Sequence, residues 1–265
     1  MIFDILPPPL TALCNTLFPG SFPTVAILPL PDLEQDEAIL RSWLHTKEMV
    51  QLAGYVYPKR RKEWLSGRIC AKQALRAFLR HAPKTPLIPE HNQCRVASEE
   101  SGQPYFDQLP GIAFPFPQLS ITHSKSFAAA LVSTTRCGID IQFPSEGLQR
   151  VKEKFCTEEE LQQIQEALPH LSQLSGLALL WTGKEAIKKM LSAEGIPGFQ
   201  EIQLCKISDT ANRAALFHFS TATVQETSLP VITGLLNNGY GMALCCLNDQ
   251  YTGNSNPPRP HARTA

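Results

Sequence analysis

Gly138-Ile139-Asp140-Ile141-Gln142 is the stretch whose reading decides the fold. Side chains alternate along a strand, so Ile139 and Ile141 enter a core while Asp140 and Gln142 share the opposite face. Two oxygens one strand repeat apart suit Mg²⁺, a hard cation that takes a few protein oxygens plus waters and substrate phosphates. An Asp near a strand end also caps the next turn, and spacing alone favours that simpler role. Just upstream, Phe127–Ser133 is an apolar strand. Before it, Leu119-Ser120-Ile121-Thr122-His123-Ser124 clusters hydroxyls and an imidazole. Such groups can hold phosphate oxygens, although a turn with local side-chain bonds is the plainer reading.

Downstream, Thr157–Leu168 is a helix opened by a capping box, with Thr157 at the cap and Glu160 three residues on. A longer helix covers Ser172–Leu191. Within it Trp181, Glu185 and Lys189 lie on one row of i, i+4, i+8 positions. That row is a solvated ion pair beside an aromatic, or a carboxylate and an ammonium held at a buried edge. Gly183 in mid-helix costs about 1 kcal/mol relative to alanine and points to a close neighbour, backbone or ligand. Strands follow at Ile202–Ile207, Ala215–Phe219 and Leu229–Leu236. Asn238-Gly239, a strong hairpin signal, leads into Tyr240–Leu247.

Toward the amino terminus, residues 1–31 hold seven prolines and read as an irregular lead-in with a short strand at Thr24–Leu28. Asp32–Val50 reads as one helix. Pro58 suits a first helical position, and Lys59–Arg80 continues as a helix whose opening turns carry Lys59, Arg60, Arg61, Lys62 and Arg68. That basic start is a solvated face or an anion site aided by the helix dipole. A short strand fits Gln93–Ala97, and Ser101-Gly102 marks a turn. The tail from Asn248 is polar, proline-rich and read as disordered. Leu65-Ser66-Gly67-Arg68 matches Trp181-Thr182-Gly183-Lys184, and Phe127–Leu131 matches Tyr240–Leu244, at similar offsets. The match suggests two related halves: residues 32–135 and 136–247, between the lead-in 1–31 and the tail 248–265.

The 265 residues are 43% hydrophobic and 18% charged, enough apolar surface to bury a core. Lys+Arg and Asp+Glu are both 24, so binding of nucleic acid by bulk charge is not expected. No apolar run reaches about 18 residues, so no membrane helix is expected. The start, MIFDILPPPL, lacks the basic region of a secretory signal. None of the eight cysteines forms a CxxC, and most sit in apolar surroundings. Reduced core thiols in a cytoplasmic protein are expected.

Taken in order, the motifs resemble the 4'-phosphopantetheinyl transferase superfamily, in its larger type built of two similar halves. The residues that carry the resemblance are Trp64-Leu65-Ser66-Gly67-Arg68, Gly102-Gln103-Pro104, Ser120-Ile121-Thr122-His123 and Gly138-Ile139-Asp140-Ile141-Gln142. Phe155-Cys156-Thr157-Glu158-Glu159-Glu160 and Trp181-Thr182-Gly183-Lys184-Glu185-Ala186-Ile187-Lys188-Lys189 complete it. The resemblance implies an α+β fold: a pseudo-twofold pair of α/β halves, each a small, mainly antiparallel sheet on a long helix, with a ligand cleft between them. It implies a Mg²⁺-dependent transfer of the phosphopantetheine arm of coenzyme A to a serine of an apo acyl or peptidyl carrier protein, releasing 3',5'-ADP. A monomer would suffice. By the same resemblance Asp140, Gln142 and Glu185 hold the metal, and Glu185, Lys189 and Asp140 carry catalysis. Arg60, Arg68, Thr122, His123, Lys184 and Lys189 hold coenzyme A phosphates. The sequence departs from the family pattern at Gln142, where Glu is usual, and at Gln103, where Lys is common; Thr122 replaces Ser and keeps the hydroxyl. The rival expectation is a catalytically impaired coenzyme-A-binding module of the same fold.

Overall fold

The computed structural model describes residues 6–21, 23–30, 36–81, 88–113, 116–192, 195–211, 214–223 and 228–247. Its elements run α1 (Pro8–Leu17), β1 (Thr24–Pro29), α2 (Glu37–Trp43), α3 (Thr46–Ala53), α4 (Pro58–His81), β2 (Arg95–Ser98), β3 (Pro104–Gln108), β4 (Gln118–Ser124), β5 (Phe127–Ser133) and β6 (Cys137–Gln142). Then come α5 (Glu146–Arg150), α6 (Glu158–Ala167), α7 (Gln173–Met190), β7 (Ile202–Ala211), β8 (Ala214–Thr221), β9 (Leu229–Leu235) and β10 (Gly241–Cys246). Every strand pairing is antiparallel, so the architecture is mixed helix and antiparallel sheet. One sheet runs β1-β5-β4, a second β6-β10-β9-β8-β7, and β2-β3 form a separate ribbon.

Two long helices cover these sheets. α4 buries Leu65, Ile69, Ala71, Leu75 and Phe78 with Ala128, Ala130 and Val132 of β5. α7 buries Leu177, Leu180, Ile187 and Met190 with Phe217 and Phe219 of β8. A third core lies between the sheets, where Ile27, Ala129 and Leu131 meet Ile139, Ile141, Ile232, Met242 and Leu244. The order β1, α3, α4, β2, β3, β4, β5 recurs as β6, α6, α7, β7, β8, β9, β10, and β1-β5-β4 is strung like β6-β10-β9.

One polar device occurs in both runs. Glu48, third residue of α3, accepts a hydrogen bond from the His45 backbone N–H and a second from the Val96 N–H, and pairs with Lys72 of α4. Glu160, third residue of α6, accepts from the Thr157 N–H at 3.0 Å and the Leu204 N–H at 2.8 Å, and pairs with Lys184 of α7 at 2.8 Å. All four ionised side chains are buried. Each carboxylate closes a capping box and ties the helix pair to the following strand, so its remaining lone pairs are satisfied. The counterpart of Lys184 is therefore Lys72, whereas the short motif match had aligned Lys184 with Arg68.

Several expectations are corrected. The proline-rich lead-in is not irregular: Pro8 and Pro9 open α1, where a fixed φ and a missing N–H cost nothing. Its Leu10 and Cys14, with Phe18 just beyond, seal the inter-sheet core. The single helix expected over Asp32–Val50 is two, because Leu44 is extended and His45 caps a new helix; residues 32–35 lie outside the described ones. Ser120–Ser124 is strand β4 rather than a turn. β3 and α5 had no expectation. The strand expected at Gln93–Ala97 is β2, shifted to Arg95–Ser98. The hairpin at Asn238-Gly239 is present, with Gly239 at φ 81. Among the described residues all eight cysteines are free and six are buried. The expected disordered tail lies outside the described residues.

Candidate active site

β6 and α7 meet at Gly138. A Cβ there would lie 1.8 Å from the Ala186 carbonyl oxygen and 3.1 Å from the Met190 nitrogen. Only glycine lets the helix backbone rest on the strand so closely, and Lys189 comes over Asp140 as a result. Gly183 also has a close neighbour, but it is the Phe219 ring, whose Cζ would be 2.9 Å from a Cβ, not a ligand.

The Lys189 ammonium donates to Asp140 Oδ1 at 2.8 Å, to the Ile139 carbonyl at 3.0 Å and to the Ile121 carbonyl at 3.4 Å. Thr122 Oγ1 donates to the same Asp140 Oδ1 at 2.7 Å. Asp140 and Thr122 are buried, while Lys189 keeps 28% of its side chain exposed. Thr122 belongs to a row of hydroxyls on one face of β4. Ser120 Oγ accepts from the Ile139 N–H at 3.1 Å, and Ser124 Oγ from the Phe143 N–H at 3.3 Å. These side chains bridge two strands that share no backbone ladder. Thr122 thus orients Asp140, its one hydroxyl proton engaged with the carboxylate.

The residues expected to join them are arranged unevenly. Gln142 donates its amide nitrogen to the Phe143 carbonyl at 3.1 Å, which leaves the amide oxygen as its presented end. Glu185 lies one turn before Lys189 on α7 and pairs with Lys188 at 3.1 Å, away from Asp140's two partners. Trp181, at the head of the row, packs on Phe155 and Phe199 with centroids 5.0 and 4.6 Å apart. Lys184 turns away altogether. It is 1% exposed and committed to Glu160 and the Phe199 carbonyl, so it cannot serve as the phosphate contact expected of it.

A second group lies on the other face of β4. His123 Nδ1 is 3.7 Å from Glu63 of α4, whose carboxylate is also 3.9 Å from Arg60 Nη1 and 3.8 Å from Lys59 Nζ. Burial pushes the His123 imidazole below its ordinary value; Glu63 opposes this, Arg60 and Lys189 add to it, and Asp140 opposes it. His123 therefore senses both groups. Arg68 is buried 4.5 Å over the Trp64 ring and donates to Ser98 Oγ at 3.2 Å, with Nε lacking a partner. Burial lowers its pKa. Glu63 was missed at the sequence level, although it is the one acid between the Lys59–Lys62 run and the Trp64 motif. The bridging role of Ser120 and Ser124 was legible only as an alternation of hydroxyls.

The donor chemistry fits Mg²⁺. No described residue donates to Asp140 Oδ2, and Gln142 presents an oxygen on the same strand face. Among the described residues no group of three or more His, Cys, Asp or Glu is placed to hold a metal ion.

Residues 136–245 match the model of the 4'-phosphopantetheinyl transferase superfamily. The family matched is the family that the motifs resemble, and the match contains Asp140, Gln142, Glu185 and Lys189. No curated protein sequence matches the chain. Among solved structures, a holo-(acyl-carrier-protein) synthase from Bacillus anthracis str. Ames in complex with CoA (3',5'-ADP) is 23% identical. It covers 43% of this chain and 95% of its own, with a TM-score of 0.36. The Thermotoga maritima holo-[acyl-carrier-protein] synthase is 19% identical over 49% of this chain and 74% of its own, with a TM-score of 0.35. No described helix is long and apolar enough to cross a membrane.

Proposed function

We propose that this chain transfers the 4'-phosphopantetheine group of coenzyme A to a serine hydroxyl of an apo carrier protein, releasing 3',5'-ADP. The observation that carries the reading is the Lys189–Thr122–Asp140 constellation inside the stretch matched by the family model. The recurring element order supports two equivalent halves, with the ligand cleft between them on the β4, β6 and α7 side.

The reaction displaces one phosphate of a pyrophosphate, so negative charge must be offset where the serine oxygen approaches. Asp140, the Gln142 oxygen and Glu185 would hold Mg²⁺, with Glu185 released from Lys188. Bound there, the cation supplies Lewis-acid polarisation of the phosphorus and stabilises the departing phosphate. Lys189 offsets phosphate charge; its two carbonyl contacts fix its ammonium at the mouth of the site. Thr122 holds Asp140 in place. Glu185 accepts the serine proton, a role typically worth about 10²–10⁴-fold. The serine Oγ–phosphorus bond forms as the phosphorus–oxygen bond to the 3',5'-ADP phosphate breaks. His123, Arg60 and Lys59 offer cationic or donor groups to the nucleotide end, balanced by Glu63.

The test is the intact mass of an apo carrier protein incubated with this chain, coenzyme A and Mg²⁺, with and without EDTA. A phosphopantetheine-sized gain that EDTA prevents is the expected result. Coenzyme A binding by calorimetry with no gain across a panel of carriers would favour the impaired binding module instead.

A further inference from the structure

The last turn of α7 carries two lysines, Lys188 and Lys189. Glu185 precedes them by three and four residues, and either spacing allows an ion pair. Lys189 is taken by Asp140 at 2.8 Å, so Glu185 pairs with Lys188 at 3.1 Å. Each of the two acids expected at the metal thus faces its own ammonium, and Gln142 adds no charge. The two acids are not equally committed. Asp140 Oδ2 receives no donor among the described residues, whereas the Lys188 pair is the one contact Glu185 makes among them. Lys188 is also held from its other side. Its ammonium lies 3.9 Å from the centroid of the Phe199 ring, and only 20% of its side chain is exposed. That ring is fixed in turn. It packs on Trp181 at 4.6 Å, and the Phe199 carbonyl accepts from buried Lys184 at 3.3 Å. A cation shared between a carboxylate and a ring face keeps the ring when it loses the carboxylate.

We infer that Lys188 is a positioning residue that acts through Glu185. It is the internal counter-ion of that carboxylate, and a divalent cation gains Glu185 as a ligand only by displacing it. The inference rests on the proposed reading, in which Asp140 and Glu185 hold Mg²⁺. Phe199 retains the released ammonium, so the exchange needs no rearrangement of α7. The Lys188 pair therefore lowers the affinity of the site for the cation and leaves its donor set unchanged.

The experiment titrates Mn²⁺, a paramagnetic stand-in for Mg²⁺, into the full chain with saturating coenzyme A and no carrier. The EPR signal of free Mn²⁺ then reads affinity apart from activity. Lys188→Gln is expected to bind Mn²⁺ about threefold more tightly than the wild type, the size of one partly exposed ion pair. Lys188→Arg, which keeps both partners, is expected to match the wild type. In a Glu185→Gln background, Lys188→Gln is expected to change the affinity by less than about 1.5-fold, because no carboxylate is left to release. An unchanged or weaker affinity in Lys188→Gln overturns the inference, as does an equal gain in both backgrounds; if Asp140→Ala still weakens binding, the proposed reading stands. A folded wild type that takes up no more Mn²⁺ than coenzyme A alone, or whose uptake Asp140→Ala leaves unchanged, overturns both.

Discussion

Asp140 Oδ1 accepts from two residues of different elements, Thr122 of β4 and Lys189 of α7. Thr122→Val removes one of these bonds with little change in volume. The carboxylate then loses its orientation but keeps its charge, and second contacts of this kind are worth about 10–100-fold in metal affinity or activity. The expected signature is a raised Mg²⁺ requirement at unchanged Tm; an unchanged Mg²⁺ titration would remove Thr122 from its role. His91 offers a separate test of burial. It stacks on Trp43 with centroids 3.9 Å apart, and its Nε2 is buried without a partner. Burial first, then Arg76, pushes its pKa down from 6.5 to about 4; Glu90 opposes the shift, and Lys72 and Arg80 add to it. The folded value lies below the unfolded one, so the unfolded chain takes the proton first as pH falls. This contribution is complete above about pH 6.5 and is lost as pH falls to about 4. In thermal melts across that window, His91→Phe is expected to flatten the acid slope while keeping the stack.

At the scale of elements, the site depends on how α7 lies on β6 and on what fixes α7 from behind. Gly138→Ala sets a methyl 1.8 Å from the Ala186 oxygen, so the helix must lift or the fold must pay about 3 kcal/mol or more. Urea unfolding reads that loss, and a variant as stable as the wild type would show that the close approach does not hold the helix. Lys184→Met leaves Glu160 buried without its cation and is expected to cost about 3–5 kcal/mol. The same measurement on Lys189→Met reads a pair that is only partly buried, since Lys189 keeps 28% of its side chain exposed. These roles also mark the limit of what the sequence states. The 3.6-residue stripe placed α4 and α7, and alternation of apolar and polar residues placed β6. Neither period can tell a lysine that faces a ligand from one that faces a buried glutamate, and Lys184 was misread for that reason. β4 was read as a turn because its hydroxyls favour turns locally; their pairing with β6 is a tertiary effect.

Across the whole molecule, the two runs share their element order and their buried Glu–Lys pairs, yet β2-β3 stand apart as a ribbon where β7-β8 extend the sheet. Asp140 of β6 stands opposite Ala243 of β10, and Ala26 of β1 stands opposite Ala130 of β5. The carboxylate position in one run is thus an apolar position under α4 in the other. The early proline-rich segment completes the inter-sheet core through Leu10, Cys14 and Phe18, all at most 3% exposed. Its helix was illegible because proline reads as a breaker unless its place in the first turn is known. The motif order, by contrast, was legible: the strand around Asp140 and the helix row ending at Lys189 both lie in the stretch that the family model matches. The central claim is that Asp140 serves transfer from coenzyme A to a carrier serine. It is tested most directly by intact-mass spectrometry of one apo carrier treated in parallel with the wild type and with Asp140→Ala, each with coenzyme A and Mg²⁺ and each verified as folded by circular dichroism. A phosphopantetheine-sized gain with the wild type and none with the variant is the predicted result; an equal gain with both would contradict it.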